Sequence, residues 1–334
     1  MIFLSIVIPH YNLTRELLTR CIQSIVEQKI NPESYEILVI DDGSINPPHW
    51  LEETFASFPV RMIKINHGGP GAARNRGIEE ARGRYIQFID ADDCLRPNSL
   101  APCLEIIHNE LPQIFRFHYQ ICTDEACIQK PFDQTKLKTG NTISGAAYVA
   151  NNNLSGSPCT YIFERATAVR HNIQFPTNVY HEDEEFNTKI HYHATSLIES
   201  NAVIYNYCIR KESVTSSSDN TFEAKRLNDL YKLLERLNQF RNKQQDTSNK
   251  IQRQALNRKL TMLTVDTILN LLYDNKSVKE IENFCNNRLR QLSLYPLPFL
   301  RHSLKYTIFR LLANNKIGLY LLRAITPRKK PIKQ

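Results

Sequence analysis

Asp90, Asp92 and Asp93 fill three of four consecutive positions at the end of the apolar run Tyr85-Ile86-Gln87-Phe88-Ile89. Carboxylates this close repel one another, and each resists ionising beside its neighbours. A second pair, Asp41-Asp42, closes the run Tyr35 to Ile40 and is followed by Gly43-Ser44. A third group, Glu182-Asp183-Glu184-Glu185, follows Tyr180-His181. Two kinds of chemistry suit such groups. A divalent cation neutralises facing carboxylates, and Mg2+ or Mn2+ takes one or two of them together with phosphate oxygens and water. A carboxylate held against a reacting hydroxyl acts as a general base. Ordinary explanations stand beside these. Asp-Asp-Gly-Ser is a good turn sequence, and acidic residues suit a helix N-terminus.

Several other chemistries are absent as motifs. No glycine or fifth-position ligand follows Asp90 at EF-hand spacing, and neither a Gly-x-x-x-x-Gly-Lys-Ser/Thr loop nor a Gly-x-Gly-x-x-Gly fingerprint occurs. A cation holding phosphates predicts an aromatic for a nucleotide base and arginine for charge. Tyr11 follows the first apolar run, and Arg74 and Arg76 follow a glycine-rich stretch.

The elements that must position these residues alternate strand and helix over the first ~95 residues, the pattern of a parallel sheet. "LSIVIP" reads as a strand ended by Pro9, and "RELLTRCIQSIVEQ" carries a helical apolar stripe. "YEILVIDDGS" and "VRMIKIN" read as strands, and "GPGAARNRGIEEARG" as a helix continuing to Gly83 before the strand "RYIQFID". Both aspartate clusters therefore fall at carboxyl ends of strands, where open α/β sheets bind ligands. Residues 100 to 215 read as more irregular. From about 220 the leucines keep helical spacing, with a capping-box signal at Ser277 and Glu280. The expected division is 1–215, an α/β domain, and 216–334, a helical region.

The 334 residues carry a net charge of +8, unevenly shared: residues 1–215 balance at −6 and 216–334 at +14. After Glu282 there are 11 basic residues and no acidic one. Such asymmetry points to a separate partner for the basic half. The apolar start lacks a basic n-region and a cleavage site, and reads as a first strand. No run of ~20 apolar residues offers a membrane span. Eight scattered cysteines without a C-x-x-C pair suit reduced thiols in a cytoplasmic protein.

"SIVIPHYN", "VIDDGS", "GPGAARNRGIEEARGRYIQFIDADD" and "HEDEEF" occur in the order and rough spacing of glycosyltransferase family 2, and the chain resembles that family over about residues 3–215. The resemblance implies a GT-A, Rossmann-like mixed sheet flanked by helices. It also implies transfer of a sugar from a nucleotide diphosphate, usually of uridine, with inversion at the anomeric carbon. By similarity Pro9 and Tyr11 line the base pocket, and Asp41 and Asp42 contact uracil and ribose. Arg74 stands near the base. In the D-x-D motif Asp92 holds Mn2+ or Mg2+, Asp90 faces the ribose or the metal shell, and Asp93 is an extra acidic neighbour. Glu182 and Asp183 match the family's Glu-Asp pair, whose Asp is the base. Arg210 and Ser213 match a closing loop that approaches the phosphates. The histidine that often completes related metal sites has no counterpart between 194 and 215, and His181, His191 and His193 are expected at the surface or lining a pocket.

Two other functions are weighed. A sugar nucleotidylyltransferase wants a Gly-x-Gly-x-Arg loop after the first strand, where Pro9-His10-Tyr11-Asn12 stands. A non-catalytic nucleotide-sugar-binding protein would lack the base or the D-x-D. The acceptor expected from the family is a glycan or lipid-linked hydroxyl in surface polysaccharide synthesis. Nucleic acid is not expected as a partner, since no recognised module is present. In the basic tail, Phe299, Leu300, Leu304, Ile308, Leu311 and Leu312 keep helical spacing among Arg301, Lys305 and Arg310. This predicts that residues 296–334 hold the protein peripherally on the inner face of an anionic membrane.

Overall fold

The structure, a computed structural model, describes residues 2–123, 125–154, 156–209, 220–274, 276–300 and 303–327. The chain forms two compact units, Met1–Tyr148 with Ser155–Ser213 and Val149–Leu154 with Val214–Gln334. The expected boundary at 215/216 lies outside the described residues. Val149–Leu154 carries no signal in composition that would assign it to the second unit. Arg258 hydrogen-bonds Asn152 and Asn153 there, and Lys259 donates to the Leu154 carbonyl.

The first unit is built on one eight-stranded sheet of order β3-β2-β1-β4-β7-β6-β8-β5. The strands are β1 (Leu4–His10), β2 (Tyr35–Asp41), β3 (Val60–Lys64), β4 (Tyr85–Phe88), β5 (Cys94–Leu95), β6 (Ile114–Cys122), β7 (Tyr161–Glu164) and β8 (Leu197–Cys208). β1 to β4 are mutually parallel, as the alternating pattern predicts. β7 runs antiparallel to β4 and β6, β8 is parallel to β6, and β5 is antiparallel to β8, so the sheet is mixed. The segment expected to be irregular thus supplies three of the eight strands, β6, β7 and β8. β2 is apolar at Ile37 to Ile40 without alternation because all four residues are buried. β1 does not stop at Pro9. β4 pairs with it only as far as Val7↔Phe88, so beyond Val7 β2 is its partner and a missing N–H is tolerated.

Helix Arg15–Val26 buries Leu18, Cys21, Ile22 and Ile25. Helix Gly69–Glu80 lies so close to β1 that a Cβ on Gly77 would sit 2.2 Å from Val7 Cγ1. It ends three residues before the expected Gly83. The Arg82 N–H is taken by Glu36 Oε1 at 2.6 Å and the Gly83 N–H by Ser5 Oγ at 2.9 Å, so side chains of β1 and β2 capture amides that would otherwise continue the helix.

The second unit is helical, with helices Asn220–Lys243, Lys250–Tyr273, Val278–Phe284, Leu304–Ala313 and Lys316–Ile325. Its core includes Leu233, Leu234, Leu237, Ile268, Leu272, Ile281 and Leu289. Capping boxes open two of these helices, at Asn249 with Gln252 and at Ser277 with Glu280. The single stripe expected from Phe299 to Leu312 is divided. Phe299 and Leu300 precede the first terminal helix, and a second one follows at Lys316. Among the described residues no helix is long and apolar enough to cross a membrane.

Candidate active site

At the end of β1 and β2 the two aspartates face inward. Asp41 is fully buried, with Oδ1 3.0 Å from His10 Nδ1 and Oδ2 accepting the Ser44 N–H at 3.3 Å. Asp42 is also buried. Its oxygens accept the N–H groups of Gly68 and Gly69 at 2.8 and 2.9 Å, and Oδ2 lies 2.9 Å from His67 Nδ1. A buried carboxylate needs such partners to offset lost hydration. Asp42 thereby fixes the loop that starts helix Gly69–Glu80. Above these acids Tyr11, 46% exposed, stacks on His67 with ring centroids 4.3 Å apart. Pro9 is partly buried at the same strand end. The accessible surface here is aromatic, and Asp41 and Asp42 hold it from beneath.

The β4 cluster divides by environment. The Asp93 N–H closes a turn onto the Asp90 carbonyl at 3.0 Å. Asp93 is buried, accepting the Tyr205 hydroxyl at 2.5 Å and the Cys208 N–H at 2.8 Å. Burial, and then the charge of Asp90, push its carboxyl up to about 8. Asp93 therefore ties β8 to the turn. Asp90 and Asp92 are more accessible: the Asp90 side chain is 38% exposed, and Asp92 is partly buried. Arg20 Nη2 holds the Asp92 carbonyl at 2.6 Å. No group of three or more His, Cys, Asp or Glu suited to a metal occurs among the described residues. Asp90 and Asp92 are two accessible carboxylates on one turn, the number that Mg2+ takes beside phosphate oxygens and water.

Arg74 joins this turn to the third acidic group. It rises from helix Gly69–Glu80, is 6% exposed, and donates through Nη2 to Asp90 Oδ1 and through Nη1 to Glu182 Oε1, each at 3.0 Å. Burial works against its charge, but Asp90, Cys159, Glu182 and Asp183 together hold the guanidinium above its ordinary range. Glu182 opens helix Glu182–His193, whose first turn carries all four carboxylates. The preceding His181 has φ of 64° and gives the helix no side-chain cap. Asp183, partly buried, accepts the Glu184 N–H at 2.9 Å. Burial, then Glu182 and Glu184, push its carboxyl up to about 7, against the opposing pull of Arg74.

Close backbone approach frames this helix start. A Cβ on Gly71 would lie 2.5 Å from the Pro176 carbonyl oxygen and 3.3 Å from Glu182 Cγ. Asn187, fully buried, donates to the Gly156 carbonyl and accepts the Tyr161 hydroxyl at 2.5 Å, which locks loop and helix together. His191 is a correction to the expected surface or pocket-lining position. It is fully buried, with Nε2 3.1 Å from Arg116 Nη1, because it lies on the inward face of its helix.

The structure thus brings Asp90, Arg74, Glu182 and Asp183 together, sets Asp92 on the same turn as Asp90, and places Asp93 in the packing beneath. Arg210 and Ser213 lie outside the described residues. Three contributors escape the sequence motifs, His67, Arg20 and Tyr205, and a fourth, His10, lies inside "SIVIPHYN" without a role assigned from it. His67 had a signal, since it stands directly before Gly68-Gly69; Arg20 and Tyr205 had none, because only folding brings them to the turn. A cavity of about 540 Å3 is lined by Arg15, Glu16, Arg20, Glu27 and Glu125 among others, and by none of the strand-end carboxylates. Its mixed charges select no phosphate.

Residues 5–148 match the family model described as Glycosyl transferase family 2. The chain is 27% identical over 222 residues to the uncharacterized glycosyltransferase YibD of Escherichia coli K12, covering 64% of this chain and 63% of that one. It is 24% identical to the poly(ribitol-phosphate) beta-N-acetylglucosaminyltransferase TarS of Staphylococcus aureus Mu50, covering 65% of this chain and 37% of that one. The chain therefore spans less than two thirds of the length of either relative. The crystal structure of Staphylococcus aureus TarS 1-349 in complex with UDP-GlcNAc superposes with a TM-score of 0.70 at 16% identity, over 97% of this chain and 90% of that one. At that identity the likeness shows a shared fold, the GT-A arrangement.

Proposed function

We propose, for a chain that belongs through residues 5–148 to glycosyl transferase family 2, an inverting glycosyltransferase that moves a sugar from a nucleotide diphosphate, of uridine, to a hydroxyl of a glycan or lipid-linked acceptor in surface polysaccharide synthesis. One observation carries this reading. A single buried guanidinium, Arg74, binds the D-x-D turn and the Glu182-Asp183 helix start at equal distances of 3.0 Å, so the group that holds the donor and the group that activates the acceptor belong to one site. The donor named with the TarS crystal structure, UDP-GlcNAc, supports a uridine nucleotide.

The Tyr11–His67 stack offers an aromatic surface to the base. Asp92, with Asp90, would hold Mn2+ or Mg2+ against the diphosphate, and the cation would supply charge neutralisation for the leaving group. Asp183 takes the proton of the acceptor hydroxyl as its oxygen bonds to the anomeric carbon and the bond to the diphosphate oxygen breaks. A single displacement of this kind inverts the carbon. A carboxyl pushed up to about 7 is a better proton acceptor near neutral pH than an ordinary one, yet remains substantially ionised there. Glu182 supports that shift and anchors Arg74. The acidic first unit would be held at its acceptor by residues 296–334 on an anionic membrane.

Release of nucleoside diphosphate from a panel of UDP-sugars, with Mn2+ and with chelator, tests the reading. Release that requires the cation and disappears in Asp183→Asn while UDP-sugar binding persists is expected. Release of pyrophosphate, or binding without turnover under every condition, would point instead to a nucleotidylyltransferase or a non-catalytic binder.

A further inference from the structure

The two terminal helices of the second unit each bury one flank and leave the other apolar flank exposed. Tyr306 and Ala313 of the first and Leu319 and Leu322 of the second are buried, and Phe309 and Leu312 pack on the unit's core. The helices touch at Gly318, where a Cβ would meet the Leu312 carbonyl oxygen at 2.1 Å, and Asn315 caps the second helix through the Gly318 N–H. They form a fixed hairpin. Its outer flanks carry Leu304 (76% exposed), Ile308 and Leu311, then Ile317 (76%), Leu321 and Ile325. Spacings of four and three in the first helix, and four and four in the second, keep each set on one stripe. Large apolar patches of this kind on a folded surface mark an interaction site.

The charge around the stripes selects the partner. Lys305 is exposed beside Leu304, and the Arg310 guanidinium lies 5.5 Å over the Phe299 ring. Lys316 pairs with Glu282 at 3.2 Å, the last acid in the chain. The sequence then continues to Arg328, Lys329, Lys330 and Lys333. An apolar surface fringed by cations, with Glu282 engaged by Lys316 and no acidic residue from 283 onward, complements an anionic lipid surface, which takes apolar side chains and attracts the net positive charge.

We propose that this hairpin inserts into the headgroup–acyl boundary of an anionic bilayer through the paired stripes Leu304-Ile308-Leu311 and Ile317-Leu321-Ile325. The inference rests on the membrane reading of residues 296–334 and assigns its inserting surface. Leu312, expected on that surface from helical spacing, is partly buried and packs against the core.

Sedimentation of the full chain with phosphatidylglycerol-containing vesicles tests it, against vesicles of phosphatidylcholine alone. The unaltered protein should pellet with the anionic vesicles at low salt. A variant with Leu304→Gln, Leu311→Gln, Ile317→Gln and Leu321→Gln should lose about tenfold or more in vesicle affinity, since apolar burial is a main term of interfacial binding. Its melting temperature should be unchanged. The matching methionine variant should bind like the unaltered protein. If the unaltered chain and the glutamine variant pellet equally, these stripes do not insert, although the basic segment still binds membrane. If the unaltered chain never pellets, the membrane reading falls with the inference. If it forms a stable oligomer that the glutamine variant dissolves, and no vesicle captures it, the stripes are a subunit interface and the proposal is overturned.

Discussion

Glu184→Gln offers a sharp test of the acid-base assignment because it changes the surroundings of Asp183 and leaves Asp183 itself in place. A point 2.8 Å from Glu184 Oε1 lies 3.4 Å from Asp183 Oδ2, so these two oxygens are within about 6 Å of each other. At that separation two charges in an effective dielectric near 20 interact by about 3 kcal/mol, or about two pK units. Glu184 is only partly buried, and salt screens it further, which leaves about one unit as the expected effect. Asp183 must be ionised to take a proton. With its carboxyl pushed up to about 7, kcat/KM should rise with pH and level off above that value. Glu184→Gln removes one of the charges that raise it, so the acid limb should move about one unit lower. Asp183→Asn should lose the limb together with about 10²-fold or more of the rate. The assay is nucleoside diphosphate release from pH 5 to 9 at fixed ionic strength, with donor affinity measured in parallel. A limb that stays in place in Glu184→Gln, in an enzyme that Asp183→Asn inactivates, would show that another group sets the profile. Normal turnover in Asp183→Asn would end the assignment of the base.

Asp92→Asn should abolish cation-dependent transfer while leaving the melting curve unchanged, and normal transfer without added metal would remove Asp92 from the metal role. Gly77→Ala should cost about 1–3 kcal/mol by overpacking against Val7, read as a lower urea midpoint; an unchanged midpoint would mean that helix and strand can separate freely. Asp93, pushed up to about 8, holds a proton that the unfolded chain releases near the ordinary carboxyl value of 3.8. The folded state then binds more protons across this window, so its contribution to stability declines as pH rises from about 4 to about 8. Asp93→Asn should flatten that decline in melting temperature, and an equal slope in both proteins would contradict it.

Residue order alone determined much of this protein. The clustering of acids after apolar runs, the glycine-rich opening of a helix and the acidic helix start are local patterns, and local patterns set strands, turns and caps. Those patterns placed the carboxylates at strand ends and at a helix N-terminus. The basic, acid-free end after Glu282 is equally a property of the sequence, as is the capping box at Ser277.

Tertiary structure decided which of the acids stand together and which are engaged in packing. Asp90, Asp92 and Asp93 are near-identical in sequence context, yet the Asp93 carboxylate accepts the Tyr205 hydroxyl and the Cys208 N–H, groups more than a hundred positions away, whereas Asp90 meets that hydroxyl through its backbone N–H. Arg74 reads as one cation among several until the fold sets it between Asp90 and Glu182, 16 and 108 positions distant. His191 and His193 differ by two positions on one helix, and packing on one face buries the first while leaving the second partly exposed. Leu311 and Leu312 are alike in type and adjacent, but only the packing of the hairpin sets Leu312 against the core and Leu311 at the surface. Hydrophobic spacing identifies a stripe, but burial depends on what the rest of the chain brings against it, and that contact is non-local.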